Sequence, residues 1–385
     1  MKEGNRVLFI AKTNLNNDGR ILNQIKILQN HYGSNLIIDF ILFPDKPIAV
    51  NLGENVVVHE VHTSFRNSSL LRPFTVIQFI WKTLRLLFQL NPKVIHVQDS
   101  AVVLPIFIYS ILKKDSFQLV YDDHEMPNEN ESFQYRLIQF FEKVIMRKSN
   151  LVVFANKERM DLLREEYNLN NKLSYFLNLP YFDDLNIEIK EDQYFSILEK
   201  INQEKETGVK FIIHQGLLEI ERGREKLAAF SKILPSDVRV LMLGISKQEF
   251  DDFLEEFDLS NKNFYFVGSV PYNLLNYFWE IGSGAIVMYL PTYINNRLCA
   301  PNRFYIAIKN HLPVLVNEGN PVLNNFVKEY KSGFFIENMK TAEDIYQFLQ
   351  YEYSVHLMDQ LIQEEIEKFI VSYESLMDKV PKSNH

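Results

Sequence analysis

Apolar runs of strand length alternate with amphipathic stretches of helical period along nearly all of this chain, and the alternation breaks off once and then restarts. Strands that alternate with helices force a parallel sheet with right-handed crossovers. In the first half, RVLFIA, LIIDFILF, VVVHEV, KVIHVQD, QLVYDDH and LVVFAN read as strands. Between them stand helices at Gly19–Asn30, over RPFTVIQFIWKTLRLLFQL, near Val102–Leu112 and at Phe133–Arg147. The pattern ends at Asn178-Leu179-Pro180. Residues 181–208 are polar and acidic and read as a connector. The alternation resumes with VKFIIHQG, VRVLMLG, FYFVGSV, GAIVMYL, LPVLVNEG and GFFIE, separated by helices at Arg224–Leu234, Lys247–Phe257, Tyr272–Ile281, Asn302–Asn310 and Val322–Lys331. From Glu343 the chain reads as helical to about Met377.

The expected fold is therefore α/β, with two doubly wound Rossmann-like domains. The boundaries read as 1–180, a connector over 181–208, a second domain over 209–355 and a C-terminal helical segment over 356–385. A length of 385 residues agrees with two cores rather than one. In such sheets ligands bind at the carboxyl ends of the strands, so the loops there carry the functional reading.

Charge and cysteine content exclude several classes. The net charge of −8 argues against a nucleic-acid binder, which needs a basic footprint. With Cys299 alone there is no intramolecular disulfide and no cysteine-based zinc site. The start, MKEGNRVLFIAK, reads as a strand and not as a signal peptide. No uncharged apolar run approaches the roughly 18 residues of a spanning helix. A cytoplasmic location is expected, or a peripheral one at the inner face of the cell membrane. One segment stands out against the acidic average. Between His62 and Val97 there is no acidic residue, but Arg66, Arg72, Lys82, Arg85 and Lys93 are present. Within residues 66–90, Phe74, Ile77, Ile80, Trp81, Leu84, Leu87 and Phe88 recur at helical spacing with Gln78, Lys82, Arg85 and Gln89 opposite. Such a helix fits an anionic membrane surface. It also fits a core helix with a solvated basic rim.

Three loops carry chemistry. YDDHEMPNENE, residues 121–131, sets His124 among acids at a strand end. One imidazole without a second nitrogen or sulfur ligand nearby is a poor metal site. HQGLLEIERGREKL runs from a strand through the Gly216 turn to a helix opening at Arg222-Gly223-Arg224. Free N–H groups there welcome an anion, and Arg222 adds a planar cationic fork. In APNRFYIAIKNHLPVLV, Asn302 and Arg303 stand at a second helix entrance. Two cations at neighbouring helix starts suit a diphosphate without a metal.

In order and spacing, these stretches resemble the GT-B glycosyltransferases, in particular retaining family 4. HQGLLEIERGREKL is similar to the family's strand, glycine and R/K-G helix opening. APNRFYIAIKNHLPVLV is similar to its P-N-K-aromatic-x-E helix with the following Pro-Val strand. FVGSVPYNLLNYFWEIGSGAIVMYLP matches the stretch between them. NNDGRILNQIKIL resembles the D-x-R-V helix opening, NPKVIHVQDS the P-D-V-I-H-x-H-D strand, and VYDDHE the D-x-H-E loop. The resemblance covers the chain to about residue 355 and implies two domains facing a central cleft. It implies that Arg222, with Gly216 and Gly223, holds the donor diphosphate, and that Arg303 and Asn302 reach it from the second loop. Ser269 and Val270 would face the base. His124 would approach the donor sugar, with Asp122 and Glu125 orienting it or binding an acceptor hydroxyl. Asp18, Gly19 and Arg20 would lie on the first loop beneath the phosphates. His96 and Asp99 read as structural or supporting groups, and His214 as a buried, satisfied histidine.

Two positions depart from the pattern. Ile306 stands where the family glutamate holds the ribose hydroxyls, and His311 where a small residue is usual. A sugar-reading acid is also missing after GAIVMYL, which leaves Tyr289, Tyr293 or Asn295 for that work. The resemblance implies retaining transfer from a nucleoside-diphosphate sugar, a UDP-sugar foremost, with no obligate metal or other cofactor. The acceptor would be a glycan, a lipid-linked molecule or a protein, in bacterial-type surface-glycan assembly. Two alternatives stand beside it. One is a catalytically impaired partner subunit, and the other is a nucleotide-sugar epimerase of the same fold.

Overall fold

A computed structural model describes residues 5–65, 70–114, 116–124, 133–180, 192–271, 274–353 and 355–379. The chain divides into two compact units, Met1–Leu177 with Gln363–His385, and Asn178–Ile362.

The first unit contains the strands β1 (Asn5–Thr13), β2 (Leu36–Pro44), β3 (Val56–Glu60), β4 (Val94–Gln98), β5 (Gln118–Asp123), β6 (Leu151–Phe154) and β7 (Leu173–Tyr175). They form one parallel sheet in the order β3-β2-β1-β4-β5-β6-β7. The helices are α1 (Gly19–Tyr32), α2 (Arg72–Leu90), α3 (Val103–Leu112), α4 (Phe133–Lys148) and α5 (Lys157–Glu166). Strands covered on both faces must be apolar nearly throughout, and VIHVQ and LVVF are buried along their whole length. The polar exception in β2, Asp39, is neutralised by a two-pronged contact from Arg6, with 2.9 Å at each prong, and by His59 at 3.0 Å.

In the second unit, α6 (Asp192–Glu206) precedes β8 (Lys210–Gln215), α7 (Arg224–Ser231), β9 (Val238–Leu243), α8 (Lys247–Glu256) and β10 (Phe264–Gly268). Then come α9 (Leu275–Glu280), β11 (Gly284–Val287), α10 (Ile294–Arg297), α11 (Asn302–Lys309), β12 (Val314–Val316), α12 (Pro321–Tyr330), β13 (Gly333–Phe335), α13 (Ala342–Leu349) and the first turns of α14 (Val355–Met377). The sheet is again parallel, in the order β10-β9-β8-β11-β12-β13. Its core includes Phe250, Phe253, Phe264 and Phe348. Trp279 is fully buried and donates its indole N–H to Gln215 Oε1 at 2.8 Å.

The doubly wound α/β expectation holds in both units, with instructive differences. The stretch read as a connector over 181–208 includes α6, which packs on the second unit through Arg239 to Glu204 at 2.5 Å and Lys205 to the Ile281 carbonyl at 3.1 Å. Leu198 and Ile201 are its buried positions, while Glu199, Lys200 and Glu206 stay exposed, as a solvated face would be. The strand β7 and the helix α5 carry too little apolar periodicity to read from sequence. The C-terminal helical stretch is broken between Leu349 and Val355. There the Tyr351 ring packs against Phe334 and the Tyr353 hydroxyl donates to the Ile308 carbonyl. From Gln363 onward α14 belongs to the first unit, where Tyr373 reaches His96 and Glu365 accepts the Leu177 N–H at 3.1 Å.

In each sheet the crossover direction reverses once, between β1 and β4 and between β8 and β11. Ligands of open parallel sheets bind at such reversals, beyond the strand carboxyl ends. The register of β12 with β13 sits on Gly333, where a Cβ would fall 1.9 Å from the Val314 carbonyl oxygen. Gly333→Ala should therefore cost about 1–3 kcal/mol. Thermal melting should show the loss as a fall of roughly 2–4 °C per kcal/mol. An unchanged melting temperature would refute this pairing.

Candidate functional site

Asp122 sits at the carboxyl end of β5, fully buried. A carboxylate in that position needs charge and hydrogen bonds to remain ionised. Arg20 supplies both, with Nε at 3.1 Å and Nη2 at 2.7 Å from Oδ1, while its Nη1 donates to the Phe176 carbonyl at 2.8 Å. Gln24 donates to Oδ2 at 2.5 Å. His96 Nε2 lies 3.5 Å from the same oxygen and His124 Nε2 lies 3.7 Å away. Burial pushes the Asp122 pKa up, but Arg20 and then His124 outweigh it and hold the carboxyl well below its usual range.

His124 follows directly on β5. Its Nε2 is hydrogen-bonded to Gln98 Oε1, its main-chain N–H donates to Asp99 Oδ1 at 3.2 Å, and its carbonyl accepts from Arg159 at 2.6 Å. Asp99 stands at φ +66, a left-handed backbone that a non-glycine residue rarely adopts. Burial disfavours the charged imidazole, but Asp122 and then Asp99 raise its pKa to about 9. At neutral pH His124 is a cation, able to donate a hydrogen bond or meet negative charge, and not a free base.

Asp123 presents the opposite case. Successive strand residues point to opposite faces, and neither Asp123 carboxylate oxygen accepts a hydrogen bond among the described residues. Burial raises its pKa to about 7, Arg159 at 3.7 Å notwithstanding. Glu142, which accepts from the Tyr121 hydroxyl at 2.5 Å, is raised to about 8, first by burial and then by Asp123.

The remaining candidates of this unit fall differently from expectation. Asp18 caps α1, accepting from the Ile21 N–H at 3.2 Å and from Thr13 Oγ1 at 2.7 Å. Gly19 opens the helix. Arg20 was expected on the loop, but it lies inside the first turn of α1 and is buried on Asp122. Its charge is matched there by that carboxylate. Gln24 and Gln98, which join one another at 2.9 Å, complete the cluster and were not singled out from sequence. Both are short-range silent, since a glutamine in a helix or strand carries no motif. His96 is fully buried and bonded to the Tyr373 hydroxyl, as a supporting group would be. Glu125 lies outside the described residues.

In the second unit, three side chains stack at the carboxyl ends of β8 and β11. The Arg222 guanidinium lies 3.7 Å from the centre of the Tyr289 ring, and that of Arg303 lies 5.0 Å from it. Among the described residues neither arginine forms an ion pair with a carboxylate. Burial, and then the charge of Arg303, lowers the Arg222 pKa; burial lowers that of Arg303 to about 10. Two partly desolvated cations lie against one aromatic ring, a site short of negative charge. Nη1 of Arg222 and Nε of Arg303 are buried without a hydrogen-bond partner.

The main chain sets this geometry. Gly216, at φ +111, lets Arg303 approach, since a Cβ would meet Nη1 at 2.8 Å. Gly223, at φ +74, turns the chain into α7 over Met288, whose sulfur a Cβ would meet at 2.8 Å. The Leu290 N–H donates to the Glu221 carbonyl at 2.9 Å and fixes the Arg222 loop beside Tyr289. Asn317, buried at the end of β12, accepts from the Tyr289 N–H at 2.7 Å and donates to its carbonyl at 3.0 Å. Nothing in the sequence marked Asn317 beyond a polar residue after an apolar run.

Arg303 was expected to reach phosphate directly, yet it donates to the Gln215 carbonyl through Nη1 and to the Met288 carbonyl at 3.0 Å through Nη2. It ties two strand ends together, so its charge is on offer more than its donors. Asn302 stands half-buried at the start of α11. Ser269 and Val270 follow β10, two strands from β8, and the Ser269 carbonyl accepts from the Tyr194 hydroxyl at 3.0 Å. Ile306 is buried inside α11. His311 adopts φ +56, the conformation that favours the small residue of the pattern. His214 is buried but not satisfied: the Gly216 N–H is committed to Leu243 at 2.9 Å, and neither ring nitrogen has a partner among the described residues. Burial and Arg303 lower its pKa to about 3, so the ring is neutral. Among the described residues no group of three His, Cys, Asp or Glu side chains is placed to hold a metal ion.

No family model and no curated protein sequence matches the chain. Solved structures do. Sucrose-phosphate synthase from Thermosynechococcus elongatus aligns with a TM-score of 0.62 at 12% identity over 96% of this chain and 100% of that one. HepE from Anabaena, in complex with UDP, aligns with 0.61 at 14% over 94% and 100%. WaaG, a glycosyltransferase involved in lipopolysaccharide biosynthesis, aligns with 0.59 at 11% over 98% and 96%. The shared architecture is that of the GT-B glycosyltransferases.

The buried acids make stability pH-dependent. Asp123 has a folded pKa above the unfolded one, so its contribution is complete below about pH 4 and is lost as pH rises through about 7. Asp123→Asn should flatten the fall in melting temperature across that window, a span worth at most about 4 kcal/mol. A variant with the same pH profile as the parent would rule out a neutral Asp123. For Asp122, whose pKa is depressed, Arg20→Ala should destabilise by about 3–5 kcal/mol at neutral pH by leaving the charge unpaired, and denaturant titration would measure it.

Proposed function

We propose that this chain is a retaining glycosyltransferase that moves a hexosyl or N-acetylhexosaminyl group from a nucleoside-diphosphate sugar to a lipid-linked, glycan or protein acceptor. The single observation that carries the reading is the Arg222–Tyr289–Arg303 cluster, two desolvated cations that form no ion pair with a carboxylate among the described residues, at the switch point of a parallel sheet. A diphosphate supplies the negative charge that this arrangement lacks. A uridine donor is favoured because HepE is known in complexes with UDP and with UDP-glucose. A role in surface-glycan assembly follows the likeness to WaaG.

Charge accumulates on the leaving diphosphate as the anomeric bond breaks. Arg222 meets it through Nη1, which has no partner among the described residues, and Arg303 chiefly through its field, since its Nη1 and Nη2 hold the strand ends. With retention, the departing phosphate oxygen can take the acceptor hydroxyl's proton, so no strong protein base is needed. His124, cationic at neutral pH, suits donation of a hydrogen bond to a sugar hydroxyl and not proton abstraction. Tyr289, pinned by Asn317, holds the Arg222 guanidinium in place against its ring.

One observation favours a second reading. Ile306 is buried and offers no acceptor to a ribose, as in a subunit that has lost turnover and serves a partner enzyme. Thermal shift with UDP-, GDP- and ADP-sugars separates the two, because a donor enzyme is stabilised by its nucleotide. Stabilisation by none of them would favour the partner subunit. With the best binder, Arg222→Ala should lower kcat by about 10²–10³-fold and Arg222→Lys by less. Full turnover in Arg222→Ala would end the phosphate role.

A further inference from the structure

The helix α2 is turned inside out. The residues it buries, Thr75, Phe79, Thr83 and Leu87, include two threonines. The residues it exposes include Phe74 at 61%, Ile77 at 63% and Trp81 at 59%. A surface helix of a soluble domain places its apolar stripe inward, so the core-helix reading of this segment fails. The exposed apolar face does not stop at α2. Phe88 of α2 packs on Tyr109 of α3 at 5.2 Å, and Phe107 of α3 packs on Phe141 of α4 at 4.8 Å. Beside those contacts Ile111 and Leu112 of α3, and Leu137, Ile138 and Phe140 of α4, stand exposed. A patch of this extent marks a docking surface.

Its charge names the occupant. Arg72 and Arg85 are exposed on α2, Lys114 stands just after α3, and Arg136, Arg147 and Lys148 are exposed on α4. The helices α2 and α3 contain no carboxylate, and the one in α4, Glu142, is buried. Cations lie over the aromatic rings: Arg85 over Trp81 at 5.9 Å, Lys113 over Phe88 at 5.9 Å and Lys148 over Phe107 at 5.6 Å. All this belongs to a chain of net charge −8. A symmetric interface between two copies would set this cationic patch against itself. We infer that the α2–α3–α4 face seats on the surface of an anionic membrane, with the aromatic and aliphatic side chains at the acyl boundary and the cations among lipid phosphates. Among the described residues no helix is long and apolar enough to cross a membrane, so the contact is interfacial. The inference gives the lipid-linked acceptor of the proposed transfer a physical location, yet its test requires no turnover.

Trp81 is the reporter, because the other tryptophan, Trp279, is fully buried. Vesicles of phosphatidylcholine, with and without about a third phosphatidylglycerol, would be titrated into the full-length protein. Trp81 emission and co-sedimentation would both be read. The expected result is a blue shift and binding at least about tenfold tighter to the anionic vesicles, weakening with salt. Phe74→Ser with Ile77→Ser, and separately Arg72→Glu with Arg85→Glu, should each lower binding by about tenfold or more at an unchanged melting temperature. Binding to neither vesicle, or equal binding to both, overturns the inference. So does a dimer seen by light scattering that the Phe74→Ser and Ile77→Ser pair dissolves.

Discussion

A fully buried carboxylate organises the first unit. Asp122 cannot remain ionised in a parallel sheet without charge and donors brought to it. The chain brings Arg20 and Gln24 from the first turns of α1, His96 from β4 and His124 from the end of its own strand. These residues are far apart in sequence and converge because β1, β4 and β5 are neighbours with their carboxyl ends at one pole. The ionised Asp122 then sets the charge of His124, and through it the chemistry that the pole can offer. One residue on, Asp123 faces the other side of the strand and lacks such donors. Its proton is retained to about pH 7. Adjacent aspartates thus differ in protonation because the pleat sends them into different surroundings.

The second unit solves the opposite problem. Its pole holds cations that form no ion pair with a carboxylate among the described residues, set against Tyr289 and supported by main-chain bonds from Asn317 and Leu290. Arg303 is partly structural, since its donors join the ends of β8 and β11. That leaves Arg222 as the side chain whose donors and charge are both open to an anion. The same glycine that permits the Arg303 approach, Gly216, is the one the strand-turn-helix pattern singles out.

Much of this was legible in the amino-acid order. The apolar strands, the glycine turns and the cationic helix entrances are local features, and each fell where the spacing placed it. The misreadings have a common cause. The helix α6 looked like a connector because most of its charges are exposed and what ties it down is distant in sequence, as Arg239 is from Glu204. Arg20 was placed on the first loop because its partner, Asp122, lies 102 positions away. The helix α2 shows an apolar stripe in either environment, and periodicity records the stripe without recording which side the sheet covers.

The sequence by itself determined the fold class, the strand order of events along each half and the residue types at the strand ends, because hydrophobic period and turn chemistry act over a few residues. Tertiary structure alone decided which of those end residues are charged, which are matched and which remain open. Those properties depend on burial and on neighbours contributed by other strands. They made His124 a cation, left Arg222 Nη1 buried without a hydrogen-bond partner among the described residues and turned the apolar side of α2 outward.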